Sequence, residues 1–263
     1  VEWIFLSPHF DDVAFSCGGL VWEIVQSGKN AQIWTVCGGE PLPGEFSPFA
    51  QEHHVRWGSG GQAVAQRRQE DEAACRRLGA APHHLPAPDC IYRRADENYF
   101  HQSHPATTRL PQAGGRSEHL YPTLEAIFGP LRAEEDGLIQ QVSAELARNL
   151  PESCELVCPL TLGGHTDHRL TRRAAETLND RRGSLWYYAD FPYVMKTTNE
   201  LEQLKNSGWR STLFPISPDG VQAWYEAMAA HHSQISTFWE GLPALRGALE
   251  SYLEQNGGVT LWQ

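Results

Sequence analysis

Two spacings of apolar residues alternate along the first half of the chain. Residues 3–6 (WIFL) form an unbroken apolar run closed by Ser7-Pro8, the pattern of a short buried strand. Beyond Gly18-Gly19 the spacing lengthens. Leu20 with Ile24, and Val21 with Val25, stand four apart, and Gly28 supplies a helix stop. Residues 31–37 (AQIWTVC) return to the strand pattern. Strand, helix, strand predicts parallel pairing through a right-handed crossover. Further helices are predicted over 63–78, closed by Gly79, over 138–150, with a stripe at 139, 142, 146 and 150, and over 166–178. Further strands are predicted over 155–159 and 185–188 (LWYY). Residues 220–255 read as helical, followed by a last strand over 259–262. This order predicts an α/β fold: a Rossmann-like, doubly wound, mainly parallel sheet with helices on both faces.

Two stretches break the pattern. Residues 38–62 are rich in Gly and Pro without a period, which predicts a loop, and residues 95–131 behave alike. The 263 residues are therefore read as one domain (1–263). It carries loop insertions near 40–62 and 95–131 and a mainly helical C-terminal part from about 200. That last part either covers the site or joins copies of the chain in a homo-oligomer.

Composition narrows the partners. A hydrophobic share of 41% is enough for a true core. The net charge of −11 repels phosphate backbones and anionic lipid, so neither nucleic acid nor a membrane is expected as a partner. No run approaches the roughly 18 apolar residues of a membrane helix. The opening VEWIFLSPHF lacks the marks of a signal peptide. Six cysteines without a C-x-x-C pair predict reduced, mostly buried thiols and a cytoplasmic setting.

Ligands of open parallel sheets bind beyond the carboxyl ends of the strands. Beyond the first predicted strand stands Ser7-Pro8-His9-Phe10-Asp11-Asp12, and beyond that at 155–159 stands Gly163-Gly164-His165-Thr166-Asp167-His168. Together they bring three imidazoles and three carboxylates to one sheet edge. Either segment alone is explained by helix capping or a solvated turn. Adjacent carboxylates and imidazoles on one edge instead point to a bound cation. A catalytic zinc takes about three His or Asp/Glu ligands. Hydrolysis then needs a base and an oxyanion donor. Six residues suffice for all of these roles.

These residues carry a family resemblance. His9-Phe10-Asp11-Asp12 resembles the H-P-D-D-E signature of the PIG-L/LmbE-like zinc-dependent N-deacetylases, and Gly164-His165-Thr166-Asp167-His168 resembles their G-H-P-D-H. The form S-P-H-x-D-D-V/A-x-x-S-C-G is similar to a branch that includes glycopeptide-antibiotic deacetylases. Arg67-x-x-Glu70, twelve residues before Gly79, resembles the family's R-x-x-E…L-G helix. The resemblance implies that His9, Asp12 and His168 hold zinc (or Fe2+, which such a set discriminates poorly). It implies that Asp11 is the general base for the activated water. His165 would stabilise the oxyanion or protonate the leaving amine, and Asp167 would hold the His165 imidazole and favour its charged form. The implied reaction removes an N-acyl group, usually acetyl, from an amino sugar or glycoconjugate. Three departures stand out: Val13 for Glu, Phe10 for Pro, and Gly163 where some sugar deacetylases carry a Tyr. The last leaves the oxyanion donor to His165 and zinc alone, or to a residue from a loop.

Arg67, on the inward stripe of its helix, is expected either to pair with Glu70 and Asp71 or to contact substrate. Asp89 and Glu40 follow extended segments on the correct edge and are candidates for substrate contact or for turns. Trp57 is a candidate platform for a sugar ring. The His pairs 53–54, 83–84 and 231–232 lack convincing carboxylate partners, and Gly58-Ser59-Gly60-Gly61 lacks the nucleotide-binding frame. Two other readings compete. His165-x-Asp167 with a distant His would make the facial triad of a non-haem iron oxygenase, a chemistry found mostly on all-β barrels. The fold could also carry a glycan-binding protein without catalysis, which would have no use for a base at Asp11.

Overall fold

The computed structural model describes residues 1–95, 99–100, 118–178 and 184–263. Among them one sheet is formed by β1 (Glu2–Ser7), β2 (Ala31–Thr35), β3 (Ala81–His84), β4 (Cys154–Pro159), β5 (Leu185–Tyr188), β6 (Ser211–Phe214) and β7 (Val259–Trp262). The strand order is β3-β2-β1-β4-β5-β7-β6. The first five run parallel, with Phe5 of β1 between Ile33 of β2 and Val157 of β4. β7 runs antiparallel to both β5 and β6. The helices are α1 (Asp12–Gln26), α2 (Pro48–Arg56), α3 (Ala63–Leu78), α4 (Leu124–Ile127), α5 (Asp136–Asn149), α6 (Thr166–Glu176), α7 (Thr198–Asn206), α8 (Pro218–Ala230), α9 (His232–Phe238) and α10 (Leu242–Asn256).

This is the doubly wound arrangement that the apolar pattern predicts. The chain leaves β1 toward β2 in one direction, while β4 lies on the other side of β1 and continues to β5. Right-handed crossovers therefore send α1 and α3 to one face and α6 to the other. Accordingly α1, α3 and α8 pack together, and α5 packs on α6. The order reverses between β1 and β4, and the crevice at their carboxyl ends is where such sheets bind ligands.

Several elements depart from the expected pattern. β3 (APHH) and β6 (STLF) were not predicted; they are the two outermost strands, mostly exposed, and so lack an apolar run. The stretch 38–62, expected as loop, contains α2. Ser47 caps that helix by accepting from the Ala50 N–H, and Pro48 opens it, but only Ala50 and His54 are buried, so no stripe forms. Helix α1 starts at Asp12, well before Gly18-Gly19, and Cys17 breaks its regularity at φ −148°. There the Trp224 indole of α8 donates to the Ala14 and Phe15 carbonyls. A Cβ at Gly18 or Gly19 would come within 2.7 Å of that indole, so the glycines serve this close approach rather than the helix start. The stretch 220–255 is divided into α8, α9 and α10. All six cysteines are buried and none forms a disulfide. No helix among the described residues is long and apolar enough to cross a membrane.

A second, smaller core lies apart from the main one. Phe10, Ala50, Trp57, Val64, Ile91, Tyr92, Leu120, Tyr121 and Ile127 pack together.

Candidate active site

The β1 end is shaped by short local bonds. Ser7 Oγ donates to the His9 carbonyl and accepts from the Val13 N–H. The His9 N–H donates to Asp12 Oδ2 at 2.7 Å, and His9 Nδ1 lies 3.1 Å from the same oxygen. Asp11 stands at the cap position of α1, yet its side chain makes no capping bond. Its Oδ1 instead accepts from Arg67 Nη2 at 3.3 Å. Simple helix capping therefore does not explain Asp11.

At the β4 end, His165 caps α6 with its own ring: Nδ1 accepts from the Asp167 N–H at 3.2 Å. One turn on, His168 Nε2 lies 3.3 Å from Asp12 Oδ1, and His168 Nδ1 lies 2.6 Å from Asp190 Oδ1. The two segments thus converge, with His9 and His165 ring centroids 4.9 Å apart and His9 and His168 centroids 5.6 Å apart. His9 and His168 share a further property. Each has one nitrogen on a buried carboxylate, Asp167 Oδ2 at 2.9 Å from His9 Nε2 and Asp190 at His168, and turns the other toward Asp12. A carboxylate behind the ring is the usual support of a metal-binding imidazole. His9, His165 and His168 also bring nitrogens within 4.8 Å of one another. Among the described residues no carboxylate is hydrogen-bonded to the His165 ring, and its Nδ1 already accepts a bond, so Asp12 completes the better donor set.

Without a bound cation, the surrounding charges push the three rings in different directions. Burial opposes the imidazolium at both His9 and His168, but it is outweighed by the Asp89 carboxylate and then Asp12 at His9, by Asp12 at His168, and by the flanking hydrogen bonds at each. His9 is held well above the ordinary histidine range and His168 is raised to about 10. His165 goes the other way, to about 3, through burial and the like charge of its two neighbours. The Asp167 charge favours the imidazolium at His165, as expected, but burial and the neighbouring imidazoles outweigh it. The Asp167 carboxylate is hydrogen-bonded to the Arg93 guanidinium, the Cys90 N–H at 3.0 Å and His9, while the hydrogen bond to the His165 ring comes from its backbone N–H. Arg93 more than offsets the burial of Asp167 and keeps it well below the usual carboxylate range.

Arg67 forms neither expected pair on its own helix. Its guanidinium bridges Asp11 and Asp89, each at 3.3 Å, under the rings of Trp57 and Phe10. Glu70 instead accepts from Ser233, and Asp71 pairs with His84 at 2.6 Å. Asp89 also lies 3.7 Å from His9 Nε2 and caps the turn Cys90–Tyr92. Trp57 is 8% exposed, so it serves as a wall for Arg67 rather than an open sugar platform. Glu40 is not brought into the cluster; its exposed carboxylate faces Arg68 at 4.0 Å. None of the six paired histidines joins a metal-competent group among the described residues.

Three functional neighbours escaped the sequence reading. Asp190 follows β5 by two residues, so the strand-end rule could have found it. Its Oδ1 holds His168 and its Oδ2 accepts from the Leu162 N–H at 2.8 Å. Arg93 and Glu135 form a fully buried pair at 2.7 Å. They come from irregular segments with no pattern to mark them.

A sequence profile described as GlcNAc-PI de-N-acetylase, that of the PIG-L family, matches residues 4–179. The chain belongs to the PIG-L family. Among its relatives, the 2'-N-acetylparomamine deacetylase of Niallia circulans is 30% identical over 225 residues, 79% of this chain and 71% of that protein. The protein of the same name from Streptomyces fradiae is 28% identical over 195 residues, 73% of this chain and 57% of that protein. The zinc-inhibited form of teicoplanin deacetylase superposes with a TM-score of 0.74 at 23% identity, over 100% of this chain and 97% of that one, and confirms the fold. This fold is an open, mainly parallel α/β sheet, not the β-barrel that the oxygenase reading calls for.

Proposed function

We propose that this PIG-L protein is a metal-dependent hydrolase that removes an N-acyl group, foremost acetyl, from an amino sugar or glycoconjugate. The observation that carries the reading is the convergence of His9, Asp12 and His168, with Asp167 and Asp190 behind the two rings and Asp11 beside them. Two imidazoles and a carboxylate suit Zn2+, and Fe2+ as well. A divalent ion held by these three residues would acidify a water and polarise the amide carbonyl. The family, and the relatives named as N-acetylparomamine deacetylases, support an N-acetylated amino sugar as substrate. Six buried thiols without a disulfide suit a reducing, cytoplasmic setting.

The chain's own groups then divide the work. Arg67 holds one oxygen of Asp11, and the other has no hydrogen-bond partner among the described residues and is free to take a proton from the attacking water. His165 accepts at Nδ1, so its neutral ring carries the proton on Nε2. That N–H is a donor for the carbonyl oxygen as it gains negative charge. Attack gives a tetrahedral adduct. When its C–N bond breaks, the proton on Asp11 passes to the departing nitrogen, leaving a free amine and a carboxylate. Arg67 and Asp89 border the base and would contact the sugar.

The test is metal content by mass spectrometry together with acetate release from N-acetylated amino sugars. About one zinc or iron per chain, lost with activity in His168→Ala, is expected. A metal-free chain that stays inert after reconstitution would remove the reading.

A further inference from the structure

Gly163 leaves a space beside the converging histidines, and another residue fills it. A Cβ built on Gly163 would lie 2.6 Å from Cδ1 and 2.7 Å from Cγ of Tyr193. The glycine itself sits at φ +80°, in the left-handed region. Tyr193 opens the 3-10 turn Tyr193–Lys196 after β5, beyond residue 179 where the family match ends. Its ring meets His168 edge-on at 6.2 Å and Phe128 at 6.2 Å, while Phe128 meets His165 at 5.4 Å. Phe238 backs it from α9 at 6.1 Å. The ring is thus fixed against His168 directly and beside His165 through Phe128. Its hydroxyl makes no hydrogen bond to any described residue, and it is not among the polar atoms sealed from solvent. Nothing in the packing of the fold uses it.

We infer that Tyr193 is a further catalytic residue, whose phenol donates a hydrogen bond to the carbonyl oxygen of the scissile amide. This rests on the deacetylase reading and completes it. The developing oxyanion then has two donors, His165 Nε2–H from the β4 end and Tyr193 O–H from the β5 end. A phenol near neutral pH is protonated and donates without giving up its proton. Gly163 and Tyr193 exclude each other: any side chain at 163 would displace the ring.

Tyr193→Phe tests this, because it keeps the ring on His168 and Phe128 and removes only the donor. N-acetylglucosamine and N-acetylparomamine serve as substrates, and a methylphosphonamidate of glucosamine as the tetrahedral probe. Expected is a loss of about 10²–10³-fold in kcat with KM changed less than about threefold. Binding of the phosphonamidate should weaken by a comparable factor, with metal content unaltered. Tyr193→Ala should match that loss and raise KM as well, since the wall is gone. If Tyr193→Phe turns over within about twofold of the parent chain, the inference is overturned and the deacetylase reading stands. A parent chain that neither releases acetate nor binds the phosphonamidate overturns both.

Discussion

The main core and the smaller core near the site are held by different forces. Around β1 and β4 the main core is chiefly apolar: Ile4, Phe5, Leu6 and Val157 are fully buried within one large hydrophobic cluster. The smaller core gathers around two buried cations. Arg67 lies beneath Trp57 and Phe10 with Asp11 and Asp89 as its partners, and Arg93 lies beside Tyr121 with Asp167 and Glu135. An apolar core tolerates small changes because contacts are many and individually weak. A buried ion pair does not, because loss of one partner strands the other away from water. The difference teaches where this protein spends specificity: the sheet supplies stability, and the charged core fixes the carboxylates and rings of the site.

The strongest way to sharpen that contrast is Asp11→Asn. It removes one partner of Arg67 but leaves Asp89, so folding and metal content should hold while kcat falls about 10³-fold. Steady-state kinetics beside metal analysis checks this, and retained activity would take the base assignment from Asp11. Next is Arg93→Met, which leaves Asp167 and Glu135 buried without their cation. Urea unfolding should show a loss of about 3–5 kcal/mol; a loss under about 1 kcal/mol would break the comparison between the cores. Asp190→Asn comes third. The amide oxygen can still accept at His168 Nδ1, but the NH2 cannot accept from the Leu162 N–H and the charge is lost, so chelator competition should show metal affinity lowered about 10–100-fold. Unchanged affinity would mean that Asp190 only braces the loop at Leu162. The smallest effect is expected for Ile4→Val in the apolar core, about 0.5–1.5 kcal/mol by the same urea measurement, with kcat unaltered.

Much of this was legible along the chain, for local reasons. Runs such as WIFL and LWYY announce buried parallel strands because both faces are covered, and the two histidine segments were found by looking past strand ends. Edge strands APHH and STLF and the helix Pro48–Arg56 were missed because they bury too little to impose a period. Arg67, Asp11 and Asp89 were each singled out, but not their pairing, since Asp11 and Asp89 lie 56 and 22 residues from Arg67.

The order of strands and helices, the two clusters of imidazole and carboxylate, and their arrival at one sheet edge were determined by the sequence itself. Only the tertiary structure decided which carboxylate serves which ring. It gave Asp167 to Arg93 and His9 rather than to the His165 ring, set Asp190 behind His168, left Glu40 outside, and laid Tyr193 over Gly163. The reason is physical. Periodicity records which face of an element meets the core, a property of neighbouring residues. The partner of a buried charge is chosen by distance in space and by the penalty of desolvation, and neither is written in the spacing of residues along the chain.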